Sequence, residues 1–142
     1  MKKALMTSSV ASMIYKFNMD NIRMLEELNY KVEVACNFGD ENPISKEEIN
    51  KFISILREKN IKFYYTDCPR SIFSIKKIIL TYRQIKKIVE DNDYDIVHCQ
   101  SPIGGVVCRL ACRKVRKRGT KVIYTAHGFH FFKGGPIINW IF

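Results

Sequence analysis

The chain has 142 residues, of which 46% are hydrophobic, and its 24 lysines and arginines outnumber 14 acidic residues, giving a formal net charge of +10 at pH 7. This length and apolar content suffice for one packed domain and exclude an intrinsically disordered chain. The charge points to phosphorylated ligands, an anionic membrane surface or nucleic acid as partners, although a solvated basic surface has the same composition.

The apolar periodicity predicts strands that alternate with helices along the whole chain. Five strands are predicted, over residues 3–8, 31–36, 62–65, 95–99 and 121–125. Four helices are predicted between them, over residues 13–28, 45–59, 71 or 74 to 90, and 104–118. Ser45 and Glu48 have the spacing of a capping box, and Gly119 is a typical residue for the end of a helix. The alternation predicts an α/β, Rossmann-like, doubly wound parallel sheet with helices on both faces, and strand order 3-2-1-4-5 is the common one.

The end of the sequence indicates a longer protein. Pro136 follows two glycines and would open an apolar helix over residues 136–142. We expect residues 1–142 to form the first domain of a larger chain, because that helix has nothing to pack against. The alternative is a terminal helix that docks back on the sheet.

The five cysteines include no C-x-x-C pair and follow no recognisable secretory leader, so we expect a reduced, cytosolic chain. Cys108 and Cys112 would share a helix face and with His98 suggest a metal site, but simple burial is the favoured interpretation. The sequence has no run of 18 apolar residues that would predict a membrane span.

Polar residues and all three histidines follow the strands that flank the expected switch point of the sheet. Ligands of open α/β sheets bind there, outside the carboxyl ends of the strands. The candidate binding residues are therefore Ser9, Ser12, His98, Gln100, Ser101, His127, Gly128 and His130.

A structural role and a functional role are weighed separately for each histidine. His98 is as well explained by packing in a strand as by ligand contact, and His130 is intermediate. A functional role is favoured for His127, since Gly128 lets the backbone approach a ligand closely. Metal ligation is disfavoured because a histidine pair between a strand and a loop lacks the one-face geometry of a helical pair.

The sequence lacks the motifs of several classes of nucleotide-binding and hydrolytic proteins. The sequence has no G-x-G-x-x-G, no P-loop motif and no G-x-S-x-G. It also lacks the acidic residues expected of a phosphate-accepting receiver domain.

Three segments resemble bacterial family 4 glycosyltransferases of capsule and exopolysaccharide assembly. They are residues 1–38 with the turn NYKV, residues 94–113 (YDIVHCQSPIGGVVCRLACR) and residues 125–135 (TAHGFHFFKGG). The resemblance implies one half of a GT-B fold, with this chain as the N-terminal, acceptor-side domain. The nucleotide-sugar domain with its paired glutamates would follow in a part absent from this chain, so the fragment alone should be inactive.

The resemblance also implies a reaction and a role for His127. A hexosyl group would move from a UDP- or GDP-sugar to a lipid-linked or polysaccharide-precursor acceptor, with no cofactor and no metal, and with retention. His127 matches the family's histidine near the reaction centre and is the catalytic candidate. Family members often have glycines after the first strand, whereas this chain reads SSVAS. The open alternatives are a non-catalytic Rossmann-like module that recruits a partner to the membrane, and a flavodoxin-like small-ligand protein.

Residues 72–89 combine an apolar stripe with basic side chains. The stripe, Ile75, Ile78, Ile79, Tyr82 and Ile85, would by itself be expected to face the core. The candidate membrane-facing residues are Lys76, Lys77, Arg83, Lys86 and Lys87. With a second basic cluster at residues 113–118 and the family's lipid-linked acceptors, they predict a cytoplasmic protein at the anionic inner face of the cell membrane. Nucleic acid is disfavoured, since aromatics do not interleave with the basic runs.

Overall fold

The structure is a computed structural model, and it describes residues 1–127. Its strands are β1 Lys2–Val10, β2 Tyr30–Asn37, β3 Lys62–Tyr65, β4 Ile96–Gln100 and β5 Lys121–Thr125. Its helices are α1 Ala11–Phe17, α2 Met19–Glu27, α3 Lys46–Glu58, α4 Ile75–Asp91, α5 Pro102–Ala111 and α6 Arg113–Arg116. The predicted alternation is confirmed, but two of the four predicted helices are each divided in two, at Asn18 and at Cys112.

The strands form one parallel sheet in the order β3-β2-β1-β4-β5, as predicted. The central strand β1 is buried from Ala4 to Val10, because helices cover both faces of the sheet. The chain crosses from one half of the sheet to the other between β3 and β4, so the switch point lies between β1 and β4. A ligand site is expected outside the carboxyl ends of β1 and β4, at this switch point.

Two hydrophobic clusters lie on opposite faces of the sheet. Alternate residues of β1 point to each of them, Met6 to one and Leu5 to the other. The first cluster contains Ile14, Ile22, Phe52 and Leu56 from α1, α2 and α3. The second contains Ile85, Val89, Cys108, Ala111 and Val115 from α4, α5 and α6. A fully buried side chain such as Phe52 stabilises the fold by about 1.5–3 kcal/mol.

The start of α3 is the predicted capping box. The Glu48 backbone N–H donates to Ser45 Oγ at 3.2 Å, and the Ser45 N–H donates to Glu48 Oε2 at 3.2 Å. These two bonds satisfy two backbone N–H groups, those of Ser45 and Glu48, that would otherwise lack a partner at the start of the helix.

A buried carboxylate lies on the α4 side of the sheet. Glu33 is 2% exposed, and its Oε2 accepts hydrogen bonds from the hydroxyls of Tyr94 at 2.6 Å and Tyr64 at 2.9 Å. Lys3 Nζ lies 3.8 Å from the other oxygen. Burial raises the pKa of Glu33, but the two tyrosine hydrogen bonds and the charges of Lys3 and Lys62 outweigh it, so this pKa lies below its usual value.

All five cysteines are free and buried, with Cys108 Sγ and Cys112 Sγ 3.9 Å apart. Within residues 1–127, no three His, Cys, Asp or Glu side chains are grouped as a metal site would require. Over the same residues, no helix has the length and apolar content needed to cross a bilayer.

Candidate functional site

An open cleft of about 940 Å³ lies at the carboxyl edge of the sheet, at the switch point. Its floor comes from the ends of β1, β4 and β5, and its rim from the segment before α4. The residues that line it are Ser9, Val10, Ser12, Met13, Pro43, Arg70, Ser71, Ile72, Phe73, Ser101, Pro102, Ile103, Tyr124 and His127. Four of the predicted site residues, Ser9, Ser12, Ser101 and His127, are therefore brought together around one space.

Two serines join the end of β1 to the start of α5. Ser9 Oγ and Ser101 Oγ are 2.6 Å apart, and the Ser9 backbone N–H donates to Ser101 Oγ at 3.1 Å. The N–H of Gly104 in turn donates to Ser9 Oγ at 3.2 Å. Ser101 has φ 63° and ψ 153°, a backbone conformation that residues with a side chain rarely adopt and that costs about 1–3 kcal/mol. These bonds hold the positive end of the α5 dipole beside the cleft.

The glycines at the start of α5 permit this close approach. A Cβ on Gly104 would lie 2.9 Å from the Ser9 backbone nitrogen and 2.7 Å from Ser101 Oγ. A Cβ on Gly105 would lie 2.4 Å from the ring of Tyr124. Any larger side chain at Gly104 would therefore move the helix away from β1, and one at Gly105 would displace Tyr124 from its place at the cleft.

His127 is exposed at the cleft and is hydrogen-bonded to a buried amide behind it. Its Nε2 lies 2.7 Å from Oε1 of Gln100, a residue at the end of β4 that is 0% exposed. The same oxygen accepts a hydrogen bond from Nδ2 of Asn18. The ring of Phe17 packs against the imidazole, with 5.6 Å between the ring centroids.

The other described histidine has a structural partner. His98 is half-buried in β4, and its Nε2 lies 2.7 Å from Oγ1 of Thr125 in the neighbouring strand β5. Burial and, secondarily, the nearby His127 lower the pKa of His98 and favour its neutral form. His98 and Gln100 do not line the cleft, so contact of either with a ligand stays a prediction.

Two predicted site residues, Gly128 and His130, lie outside the described residues, as does the predicted helix 136–142. Asn18, by contrast, is a site residue that the sequence analysis missed. The apolar recurrence over 13–28 continues through Asn18, and a single helix was expected there. The available signal was the residue type, since asparagine inside a helix competes with the backbone for hydrogen bonds.

The predicted membrane-facing residues on α4 differ in environment. Lys76 and Arg83 are exposed, and Lys86 is half-buried. Lys77 and Lys87 are exposed but form ion pairs with Glu41 and Asp91. The residues of the apolar stripe also differ in exposure. Ile85 is buried in the core, whereas Ile75 and Ile79 are 64% and 48% exposed.

The comparison with known families decides the class of the protein. A family model described as glycosyl transferase 4-like matches residues 5–141. The chain belongs to this glycosyltransferase family. It is also 39% identical over 140 residues to EpsD of Bacillus subtilis (strain 168), a protein named as a glycosyltransferase. That match covers 99% of the chain and 32% of EpsD, so the chain spans about a third of the length of this relative.

Two solved structures share the fold at low sequence identity. A glycosyltransferase from Rickettsia africae ESF-5 has a TM-score of 0.63 and 16% identity, over 93% of this chain and 31% of that one. MurG from Acinetobacter baumannii has a TM-score of 0.60 and 17% identity, over 89% of this chain and 34% of that one. The predicted α/β, Rossmann-like fold, one half of a GT-B architecture, is confirmed, and so is the resemblance to family 4 glycosyltransferases.

Proposed function

We propose that the protein to which this chain belongs transfers a sugar from a UDP- or GDP-sugar to a lipid-linked or polysaccharide-precursor acceptor in cell-surface polysaccharide synthesis. This chain is its N-terminal, acceptor-side domain, and a second domain binds the nucleotide-sugar. The observation that carries the proposal is the cleft at the switch point, lined by Ser9, Ser101 and His127, in a chain of the glycosyltransferase 4-like family.

The chemistry of the cleft suits this reaction. Glycosyl transfer develops positive charge on the sugar ring and negative charge on the departing diphosphate, and enzymes stabilise such charges with positioned dipoles and hydrogen bonds. The α5 N-terminus, held by the Ser9–Ser101 pair, supplies a positive dipole end. His127 supplies a ring nitrogen to a sugar hydroxyl near the reacting carbon. We assign it a hydrogen-bonding role in the transition state rather than that of a general base.

The test is sugar transfer by the full-length protein, screened over UDP- and GDP-sugars with membrane extract as the acceptor source. We expect transfer from one donor class to a lipid-extractable or polymeric product. If folded full-length protein transfers no sugar from any donor, the chain is better explained as a non-catalytic module that recruits a partner.

The start of α4 supports a peripheral location at the membrane. Phe73, on the rim of the cleft, is 85% exposed, and Ile75, the first residue of α4, is 64% exposed. Lys76 lies between Ile75 and the ion-paired Lys77 in the same turn. Exposed aromatic and aliphatic side chains beside lysines suit the boundary between anionic headgroups and acyl chains. Docking through this surface would place the cleft near a lipid-linked acceptor.

Vesicle binding at low salt tests the membrane proposal. Replacement of Lys76, Lys77, Lys86 and Lys87 by Gln should weaken binding to anionic vesicles, by up to about 1 kcal/mol for each lysine near the surface. Phe73→Ser should weaken it as well. The control is Met24→Ser, which removes a 50% exposed side chain from α2, on the other face of the sheet. Equal binding of the unmodified protein to neutral and anionic vesicles would contradict the proposal.

A further inference from the structure

A chain of three amide and imidazole side chains runs from the break between α1 and α2 to the cleft. Asn18 and Gln100 are 1% and 0% exposed, and only His127, at the end of the chain, reaches solvent. Buried amides must satisfy their hydrogen bonds within the protein, so each bond in the chain constrains the next.

The backbone fixes the orientation of the first amide. Asn18 Nδ2 donates to the carbonyl oxygen of Met13 at 3.0 Å, and a carbonyl oxygen can only accept. The second proton of Nδ2 is donated to Gln100 Oε1. Asn18 Oδ1 accepts from Asn21 Nδ2 at 2.9 Å, which satisfies the other half of the amide.

The first amide in turn fixes the second. If the Gln100 amide were reversed, its Nε2 would face Asn18 Nδ2, donor against donor. In the observed orientation Gln100 Nε2 points to Met6 Sδ at 3.3 Å, and Oε1 is left to accept from both Asn18 and His127. Because an amide oxygen carries no proton, His127 Nε2 must be the donor in this bond.

We infer that Gln100, oriented by Asn18, is a positioning residue that holds neutral His127 in the Nε2–H tautomer and leaves Nδ1 as the hydrogen-bond acceptor for a substrate hydroxyl. The tautomer follows from contacts within this chain alone. Its consequence for turnover rests on the function proposed above. Phe17, the last residue of α1, packs against the ring of His127. The break between α1 and α2 therefore places both Phe17, which contacts His127, and Asn18, which orients Gln100.

The direct test is the tautomer of His127, measured from ring ¹⁵N chemical shifts of the protein labelled with ¹⁵N-histidine, at a pH where the rings are neutral. The His127 signals are assigned by their loss in His127→Gln. We expect a single Nε2–H tautomer in the unmodified protein. An Nδ1–H tautomer there would overturn the inference, whatever any variant does.

Variants of Gln100 separate positioning from packing. Gln100→Met keeps the size of the side chain and removes the acceptor, so His127 should become a mixture of tautomers and kcat should fall about tenfold, the effect of one hydrogen bond. Gln100→Glu keeps an acceptor and should keep the proton on His127 Nε2. A tautomer ratio in Gln100→Met identical to that of the unmodified protein would also overturn the inference.

Two controls complete the design. Gln84→Met makes the same substitution at an amide that bonds Asp67 away from the cleft, and should change neither the tautomer nor kcat. Thr125→Val removes the partner of His98 and should alter the signals of His98 while leaving His127 in the Nε2–H tautomer. If the tautomer is as expected but turnover is insensitive to His127→Ala, the role of His127 in the proposed function fails and the positioning contact stands.

Discussion

At the scale of single residues, Glu33 and His127 show two uses of a polar side chain, one within the fold and one at the cleft. Glu33 and His127 both accept or donate short hydrogen bonds, yet Glu33 is enclosed by Tyr64 and Tyr94 under α4, whereas His127 is exposed at the cleft. The alternation of KVEVAC identified the strand but gave Glu33 no distinct role. Its partners come from residues 31 and 61 positions away, and no local pattern contains them.

Glu33 should make the stability of the protein sensitive to acid. Its pKa is lowered in the folded state, so the carboxylate contributes stability that is fully present above its unfolded pKa and is lost as the pH falls through the lower, folded pKa. We expect Glu33→Gln to lower the free energy of unfolding at pH 7 by about 1–3 kcal/mol, the range for disrupting a buried hydrogen-bond partner.

Urea unfolding of the unmodified protein and of Glu33→Gln, at pH 7 and at pH values below 4.5, measures this effect. The difference between the two proteins should shrink at the lower pH, because the unmodified carboxylate is then losing its advantage. A difference that is equal at both pH values would show that the variant acts through packing and not through the charge of Glu33.

At the scale of elements, the strands and their order could be predicted and the divisions of the helices could not. β1 and β4 appear as apolar runs because helices cover both faces of the sheet, and Ser45 and Glu48 mark the start of α3 through a contact between neighbours in sequence. At the break, Asn18 Nδ2 donates a hydrogen bond to Oε1 of Gln100, 82 residues later. A periodicity of apolar residues does not record such a bond.

The same contrast holds for α4 and α5. The apolar stripe of α4 predicted one face, but the helix extends past the core at its start, so Ile75 and Ile79 are exposed while Ile85 and Val89 are buried. Gly104 and Gly105 weaken α5 by about 1 kcal/mol each relative to alanine. Their presence is explained only by the Ser9 backbone and the Tyr124 ring that lie against them.

At the scale of the whole molecule, the topology brings the site together. Residues from β1, β4 and β5 meet at one edge, although Ser9 and Tyr124 are 115 positions apart in sequence, because all five strands are parallel and the order reverses at β1. This could be predicted, and it gave Ser9, Ser12, Ser101 and His127 as neighbours around the cleft. The rim from Arg70 to Phe73 was not predicted as part of the site, since it precedes a helix and follows no strand directly.

We propose that this cleft is the reaction site of a glycosyltransferase, and kcat for sugar transfer by the full-length protein carrying His127→Ala tests that role directly. His127 is exposed and its removal leaves no buried cavity, so the melting temperature should change little. Loss of one preorganised hydrogen-bonding group at a reacting centre lowers kcat by about 10²–10³-fold, and we predict a loss of that order. A variant that folds normally and keeps kcat within about twofold of the unmodified protein, a change below 0.5 kcal/mol in the barrier, would contradict the claim.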